Sequence, residues 1–395
     1  MPITGDQYLV KKINKSIVLE TIKQKHPISR AQISELTGLN KGTVSSIVQE
    51  LIEEEFVSEI GPGRSSGGRR PVMLLYNQKA GFAIGIDLNV NYLLTVLTDL
   101  QGNIVLEQKT YLNDRSLSSV AKQIIQSIRL IMDQVPKSRH GIVGVGIGIP
   151  GLCSEDGTIL FAPNLGWREV DLKQALSSEC SLPIFVLNEA HAGAIGEHLL
   201  GAGKGVSDLI YLSVGIGIGS GIIFNNTLYK GNSGLAGEIG HCIIVPNGKL
   251  CRCGNRGCWE VYASEIALLE YAKAHSLLLS LPEEKWNIET LIDLASQGHQ
   301  EAIELFHEIG QYLGIGLCNI MHVFNPELII IGNRFAQAEK WITSPIHQAI
   351  ENNSLAFHRK KVRIRFANLG IHSSAIGAAS LAITHFFSDL NVSIK

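Results

Sequence analysis

At 395 residues and 43.0 kDa the chain is too long for one core, and two or three domains are expected. Hydrophobic residues at 45 % and charged residues at 18 % describe an ordinary globular chain and exclude a disordered one. No apolar run approaches the ~20 residues that span a membrane, and Met-Pro-Ile-Thr-Gly-Asp is no signal peptide, so a cytoplasmic body is expected. The net charge of −2 hides an asymmetry: residues 1–80 carry 11 Lys and Arg against 8 Asp and Glu, the remainder 23 against 28. A mildly basic end on an acidic body is compatible with a DNA-binding head.

Helical spacing runs over 8–24, where Tyr8, Leu9, Ile13, Ile17, Val18 and Ile22 share a face, and His26-Pro27 stops it. Ser29 caps a second helix that turns Ala31, Ile33 and Leu36 inward and ends at Gly38. Asn40 caps a third, with Val44, Ile47, Val48, Leu51 and Ile52 inward. The short turn Thr37-Gly38-Leu39 between two helices is a helix-turn-helix pattern. Small polar and basic residues at the start of the third helix, Asn40, Lys41, Gly42, Thr43, Ser45 and Ser46, can reach bases and phosphates, as can Ser29 and Arg30. A plain three-helix bundle is the alternative. Two strands, 56–60 and 72–76, flank a basic, glycine-rich tip with Arg64, Arg69 and Arg70. Three arginines and no acid favour a wing inserted into a narrow minor groove over a flexible linker. Residues 1–76 therefore read as a winged helix.

From Gly81 the character changes. Strands are predicted at 82–87, 92–98 and 104–109, a helix at about 116–134, and a buried strand at 142–149. The theme repeats with a strand at 209–213, a glycine turn at 215–221, strands at 222–224 and 227–229, and a last helix near 375–387.

The stretch 237–260 carries the chemistry. It reads Gly-Glu238-Ile-Gly-His241 and then Cys251-Arg-Cys253-Gly-Asn-Arg-Gly-Cys258-Trp-Glu260. Zinc prefers tetrahedral sets of thiolate and imidazole, so His241, Cys251, Cys253 and Cys258 form a candidate closed structural site. Isolated thiols have no packing reason to sit in this polar, glycine-rich loop, and nothing suggests secretion or a disulfide. Closing the loop on a metal brings Glu238 and Glu260 near His241, an arrangement suited to a small polyhydroxylated ligand.

This pair of motifs resembles the signature of the ROK family, which groups repressors, open reading frames and sugar kinases. The resemblance covers essentially the whole chain, and Ser-Gly-Gly-Arg-Arg-Pro also resembles the wing of the family's repressors. It implies an α/β fold: an N-terminal winged helix-turn-helix (1–76), then a two-lobed actin-like ATPase (ribonuclease H-like) body. The first lobe would span 81–188, completed by the C-terminal helix 372–395, and the second 189–371, with the zinc loop and a dimerisation surface. It also implies a structural zinc and a sugar pocket of Asn164, Asn188, Glu189, Glu238, His241 and Glu260.

The family's kinases carry Gly-x-Asp-x-Gly-x-Thr, and here Gly85-Ile86-Asp87-Leu88-Asn89-Val90-Asn91 lacks the second glycine and the hydroxyl. Ile216 replaces a threonine in the second phosphate loop, and Gly332-Asn333-Arg334 stands where three glycines are expected. Glu189 replaces the catalytic aspartate, one methylene too long for phosphoryl transfer that depends on placement to about 1 Å. Four departures beside an intact sugar set imply a sensor and no catalytic residues: a dimeric repressor that binds operator DNA and is released by a small sugar. Glu189 is expected to stay ionised and to fill the space for C6 of a hexose, which favours a pentose; the resemblance of head, wing and pocket implies that this pentose is xylose. The alternative is an ATP-dependent sugar kinase with an appended DNA-binding head; a scaffold that binds a transporter protein is a third.

Overall fold

The structure, a computed structural model, describes residues 7–62, 71–275, 277–278, 281–282 and 285–390. In the head, α1 (Gln7–Lys25) buries Val18, Leu19 and Ile22. Ser29 closes the two-residue strand β1 (Ile28–Ser29) and caps α2 (Arg30–Thr37). Its hydroxyl accepts the Gln32 N–H at 3.3 Å, and its own N–H donates to the Gln32 side chain at 3.0 Å. Gly38, left-handed at φ +73°, ends α2, and Asn40 caps α3 (Lys41–Glu53) by accepting the Thr43 N–H at 2.8 Å. Ala31 and Leu36, expected inward, are exposed. At about 100° per residue Ala31 lies opposite Ile33, and Leu36 sits at the open end of a helix of 8 residues.

β2 (Val57–Pro62) and β3 (Val72–Tyr76) pair as a hairpin, and β1 joins the other edge of β3, giving the order β1-β3-β2. That third strand is too short to show a period in the sequence. The wing tip, with Arg64, Arg69 and Arg70, lies outside the described residues.

The first lobe is built on β4 (Phe82–Leu88), β5 (Tyr92–Asp99) and β6 (Ile104–Tyr111), an antiparallel meander. Helix α4 (Leu117–Met132) covers it with Val120, Ile124, Ile128 and Ile131. β7 (Ile142–Ile149) runs parallel to β4. A small antiparallel sheet follows, from β8 (Leu152–Cys153), β9 (Ile159–Ala162) and β10 (Trp167–Val170). After α5 (Leu172–Ser177), β11 (Ile184–Asn188) joins β7 in parallel and runs straight into α6 (Glu189–Leu200).

The second lobe repeats this plan with β12 (Leu209–Val214), β13 (Ile218–Phe224) and β14 (Thr227–Leu228). Helices α7 (Glu260–Ala263), α8 (Glu265–Ala274), α9 (Ile288–Ser296) and α10 (Gln300–Phe324) lead to β15 (Leu328–Gly332). Then come α11 (Glu339–Asn353), α12 (Ala356–Arg359) and β16 (Arg363–Phe366). The sheet orders β11-β7-β4-β5-β6 and β14-β13-β12-β15-β16 are one topology used twice.

The glycine turn is shorter than expected. It spans 215–217, and β13 pairs with β12 from Val214–Ile218 onward. Gly221 belongs to the strand for a packing reason: a Cβ there would sit 2.4 Å from the Ala194 Cβ and 2.5 Å from the Ala190 carbonyl of α6.

The last helix, α13 (Ser373–Leu390), returns to the first lobe. Cβ atoms at Gly85 and Gly146 would fall 1.9 Å from the carbonyls of Ala375 and Ala378, so sheet and helix meet backbone to backbone. The head sits on the same helix. Phe56 stacks on His140 with centroids 4.4 Å apart and lies 6.1 and 5.5 Å from Phe386 and Phe387, within one continuous core. Among the described residues no helix is long and apolar enough to cross a membrane.

Candidate functional site

The two lobes enclose a cleft of about 450 Å³. On its second-lobe side, residues 251–258 fold into a tight loop. Cys251 donates its N–H to the Asn255 carbonyl at 2.8 Å, and Gly254 and Gly257 adopt φ +96° and +81°. At Gly257 a Cβ would sit 1.8 Å from the Val245 carbonyl, so only glycine closes this turn. His241 arrives from a short helical turn, 239–241, beneath it.

The donor atoms of His241, Cys251, Cys253 and Cys258 all lie within 4.8 Å of one another. Cys253 and Cys258 sulfurs are 3.7 Å apart, and the Cys251 sulfur is 3.6 Å from His241 Nδ1. Tetrahedral bonds of ~2.3 Å to sulfur and ~2.0–2.1 Å to nitrogen require separations of about 3.8 and 3.6 Å. The set therefore fits a tetrahedral ion held through Nδ1, with every position filled by protein. Such an ion would supply order to the loop rather than an open coordination site.

Two carboxylates flank the imidazole. Glu238 lies 3.9 Å from Nε2 and Glu260 3.6 Å from Nδ1, and Glu260 also accepts from the Cys251 thiol at 3.0 Å. Gly217 admits Glu260, since a Cβ there would meet Oε2 at 2.6 Å. Burial, and secondarily the Glu260 charge, raise the Glu238 carboxyl against the pull of His241.

Asn188 faces the cleft but is committed to the frame. Its Oδ1 accepts the Ala190 and His191 N–H groups at 2.8 and 3.1 Å, capping α6, and its amide donates to the Gly151 carbonyl at 2.8 Å. Asn164, on the β9–β10 turn, accepts from Arg252 Nη1 at 2.6 Å.

Glu189 departs from expectation. Its Oε2 accepts from the Ser213 hydroxyl at 2.9 Å, which in turn accepts from the Asn333 amide at 2.9 Å. Although one side opens on the cleft, protein surrounds the carboxyl otherwise. Burial first, then the nearby Asp87 and Glu238 charges, push it up to about 8 despite Ser213. Burial likewise lifts Asp87 to about 6. Burial and the Asp87 charge thus both favour the protonated form of Glu189, against the ionised form expected from the sequence. With two carboxyls close together, charge on one disfavours charge on the other.

Ser213 and Asn333 stand 120 positions apart, so nothing in the sequence joins them. Asp87 was legible only as part of a phosphate loop.

Arg334, Asn89 and Ile216 line the other end of the cleft. Arg334 donates twice to Glu265 at 2.7 Å and also to Glu289, with Nε at 3.1 Å and a closer Nη2 contact. Its guanidinium is committed to two carboxylates at the position where the kinase pattern has glycine. Asn89 turns its side chain onto the Val90 N–H at 2.8 Å, and the Ile216 side of the 215–217 turn also lines the cleft.

On the head, Asn40, Lys41, Gly42, Ser45 and Ser46 are exposed on one end of α3, and Thr43 is half-buried. Arg30 pairs with Glu59 at 2.8 Å. Ser29 is buried, and its hydroxyl is spent on the α2 cap. It orients the turn and presents nothing to a ligand outside.

Comparison with known proteins agrees with this geometry. The ROK family model matches residues 83–385, and a winged helix-turn-helix DNA-binding model matches 14–58. The chain is 43 % identical to the xylose repressor of Bacillus subtilis over 382 residues, 97 % of this chain and 98 % of that one. The solved structure of a ROK family transcriptional regulator, a homologue of the E. coli MLC protein, superposes with a TM-score of 0.82 at 28 % identity, covering 96 % of this chain and 98 % of that one. A ROK family glucokinase from Streptomyces griseus, solved with glucose and AMPPNP, matches 77 % of this chain and all of its own, at 32 % identity and a TM-score of 0.68.

Proposed function

This chain belongs to the ROK family, and from that premise we propose that it is a transcriptional repressor released from operator DNA by a small sugar, D-xylose. The observation that carries the reading is the asymmetry of the cleft. One end is lined with the carboxylates of Glu238 and Glu260 and the His241 imidazole, while at the other end Arg334, standing where the kinase pattern has glycine, projects a side chain held by Glu265 and Glu289. Xylose is favoured by the likeness to the Bacillus repressor and by the extra methylene of Glu189.

Asn164, Glu189, Glu238, His241 and Glu260 would contact the sugar, with Asn188 fixing the start of α6. Zinc is the ion proposed for His241, Cys251, Cys253 and Cys258, on the strength of the three thiolates. Asn40, Lys41, Gly42, Thr43, Ser45 and Ser46 would meet the major groove, with Arg30 and the wing arginines Arg64, Arg69 and Arg70 on the backbone and minor groove. The domains would be 1–76, 81–188 completed by 372–395, and 189–371. The last would carry the surface of a homodimer that spaces two heads one helical turn or a multiple apart. No phosphoryl transfer belongs to this reading. Sugar weakens operator binding, and reciprocity requires DNA to weaken sugar by the same factor.

A fluorescent operator fragment titrated with the protein, with and without a panel of pentoses and hexoses, tests the proposal. Xylose should lower operator affinity while glucose does not. ATP with any of these sugars should yield no ADP. Steady ADP production would establish the kinase reading instead.

A further inference from the structure

Asn164 is held from across the cleft. Its turn belongs to the first lobe and is stiffened there: Leu165 donates its N–H to the Ala162 carbonyl at 3.0 Å, and the Trp167 indole donates to the Arg115 carbonyl at 2.8 Å. Arg252 belongs to the second lobe, 88 positions along the chain, and its Nη1 donates to Asn164 Oδ1 at 2.6 Å. The neighbours of Arg252 on either side, Cys251 and Cys253, are both members of the metal-ligand set. The reach of this guanidinium is therefore set by the loop the metal would order.

The contact decides more than proximity. A guanidinium has only donors, so it must face the oxygen of an asparagine. With Oδ1 taken by Arg252, the Asn164 NH₂ is the end of the amide left to donate, and both residues line the cleft. Free of Arg252, the amide could rotate and offer either end to a ligand. Pinned by it, Asn164 offers a donor and needs a ligand oxygen with a free lone pair.

We propose that Arg252 is a positioning residue for sugar recognition: it orients Asn164 as a hydrogen-bond donor to one hydroxyl of the sugar, and it does so from the metal loop. The inference rests on the sugar-sensing reading above. It gives the metal loop a second task besides placing His241 and Glu260, namely to fix the polarity of a contact on the opposite lobe.

The test is calorimetric titration of the full chain with xylose and its monodeoxy analogues, comparing wild type, Arg252→Ala, Asn164→Asp and the double variant. Arg252 is exposed, so its removal should leave metal content and melting temperature unchanged. Arg252→Ala is expected to weaken xylose about tenfold. Asn164→Asp keeps a partner for Arg252 but removes the donor, and should weaken xylose at least as much. The double variant should be no worse than Asn164→Asp, because both changes break one device. In wild type a single deoxy analogue should carry a penalty that largely disappears in Arg252→Ala. Unchanged xylose affinity in Arg252→Ala, or additive losses in the double variant, would overturn the proposal while leaving the sensor reading intact. A wild type that binds no sugar of the panel overturns both.

Discussion

Replacing Glu189 with glutamine isolates the protonation of the cleft. The carboxyl is pushed from 4.5 to about 8, first by burial and then by the charge of Asp87. The folded state therefore keeps a proton that the unfolded chain has released. Stability from this group is complete below about pH 4.5, falls as pH rises, and levels off above about pH 8. Each pH unit in which only the unfolded chain is ionised costs roughly 1.4 kcal/mol, so the whole window amounts to at most roughly 5 kcal/mol. Asp87, lifted to about 6, contributes in the same direction but only over the lower part of the range. Between pH 6 and 8 the slope belongs mainly to Glu189 and is at most roughly 3 kcal/mol. Glutamine has nearly the same volume, keeps an acceptor for the Ser213 hydroxyl and does not titrate. Urea unfolding at pH 6, 7 and 8, followed by tryptophan fluorescence, should show the wild type losing stability across this interval while Glu189→Gln loses much less. Parallel curves for the two proteins would mean that Glu189 is already ionised in the fold, and the account of its raised carboxyl would fail.

Glu189→Asp frees room for about one methylene and should shift preference from xylose toward glucose by about tenfold in calorimetric titration. It should not create kinase activity, since Asn89, Ile216 and Arg334 remain. Cys253→Ser should lose a metal present at about one ion per chain by elemental analysis, and with it the response to xylose. The double change Arg69→Ala and Arg70→Ala should weaken operator binding and flatten its salt dependence by about 0.9 for each phosphate no longer neutralised, with xylose affinity unchanged. Gly377→Ala should destabilise the chain by about 3 kcal/mol or more in urea unfolding, because a Cβ there would lie 1.8 Å from the Ala192 carbonyl, backbone against backbone.

What could be read from the sequence was what local chemistry determines. Ser29, Gly38 and Asn40 mark helix ends because capping is a matter of a few neighbouring residues. The cluster of His241, Cys251, Cys253 and Cys258 was legible because three of its members share one loop and the fourth precedes it closely. Periodicity found the long buried strands but misplaced the start of β13, where the glycines serve packing against α6 rather than a turn. Polarity across the cleft was not legible at all. The partners of Glu189, Arg334 and Asn164 come from 24, 69 and 88 positions away. Identity at a single position announces a carboxylate. Only the assembled walls decide whether it holds its proton.

The same distinction bears on how the site and the head are joined. Glu189 is the first residue of α6, and the far face of α6 lies on α13 without side chains to cushion it: Gly196 faces the Ser373 carbonyl, and Gly377 faces that of Ala192. The buried Glu197 carboxylate strengthens this seam by accepting from the Ser373 hydroxyl at 2.7 Å and the Leu369 N–H at 2.9 Å. At its other end α13 presents Phe386 and Phe387 to Phe56 of the head and, through Phe386, to His140 of the first lobe. Close-packed contacts of this kind do not absorb a displacement by rearranging rotamers; they pass it on or break. A ligand that moves the start of α6 therefore acts on the helix that carries the head. First lobe, α13 and head form one continuously packed unit, and α6, wedged between α13 and β13, ties the second-lobe sheet to it.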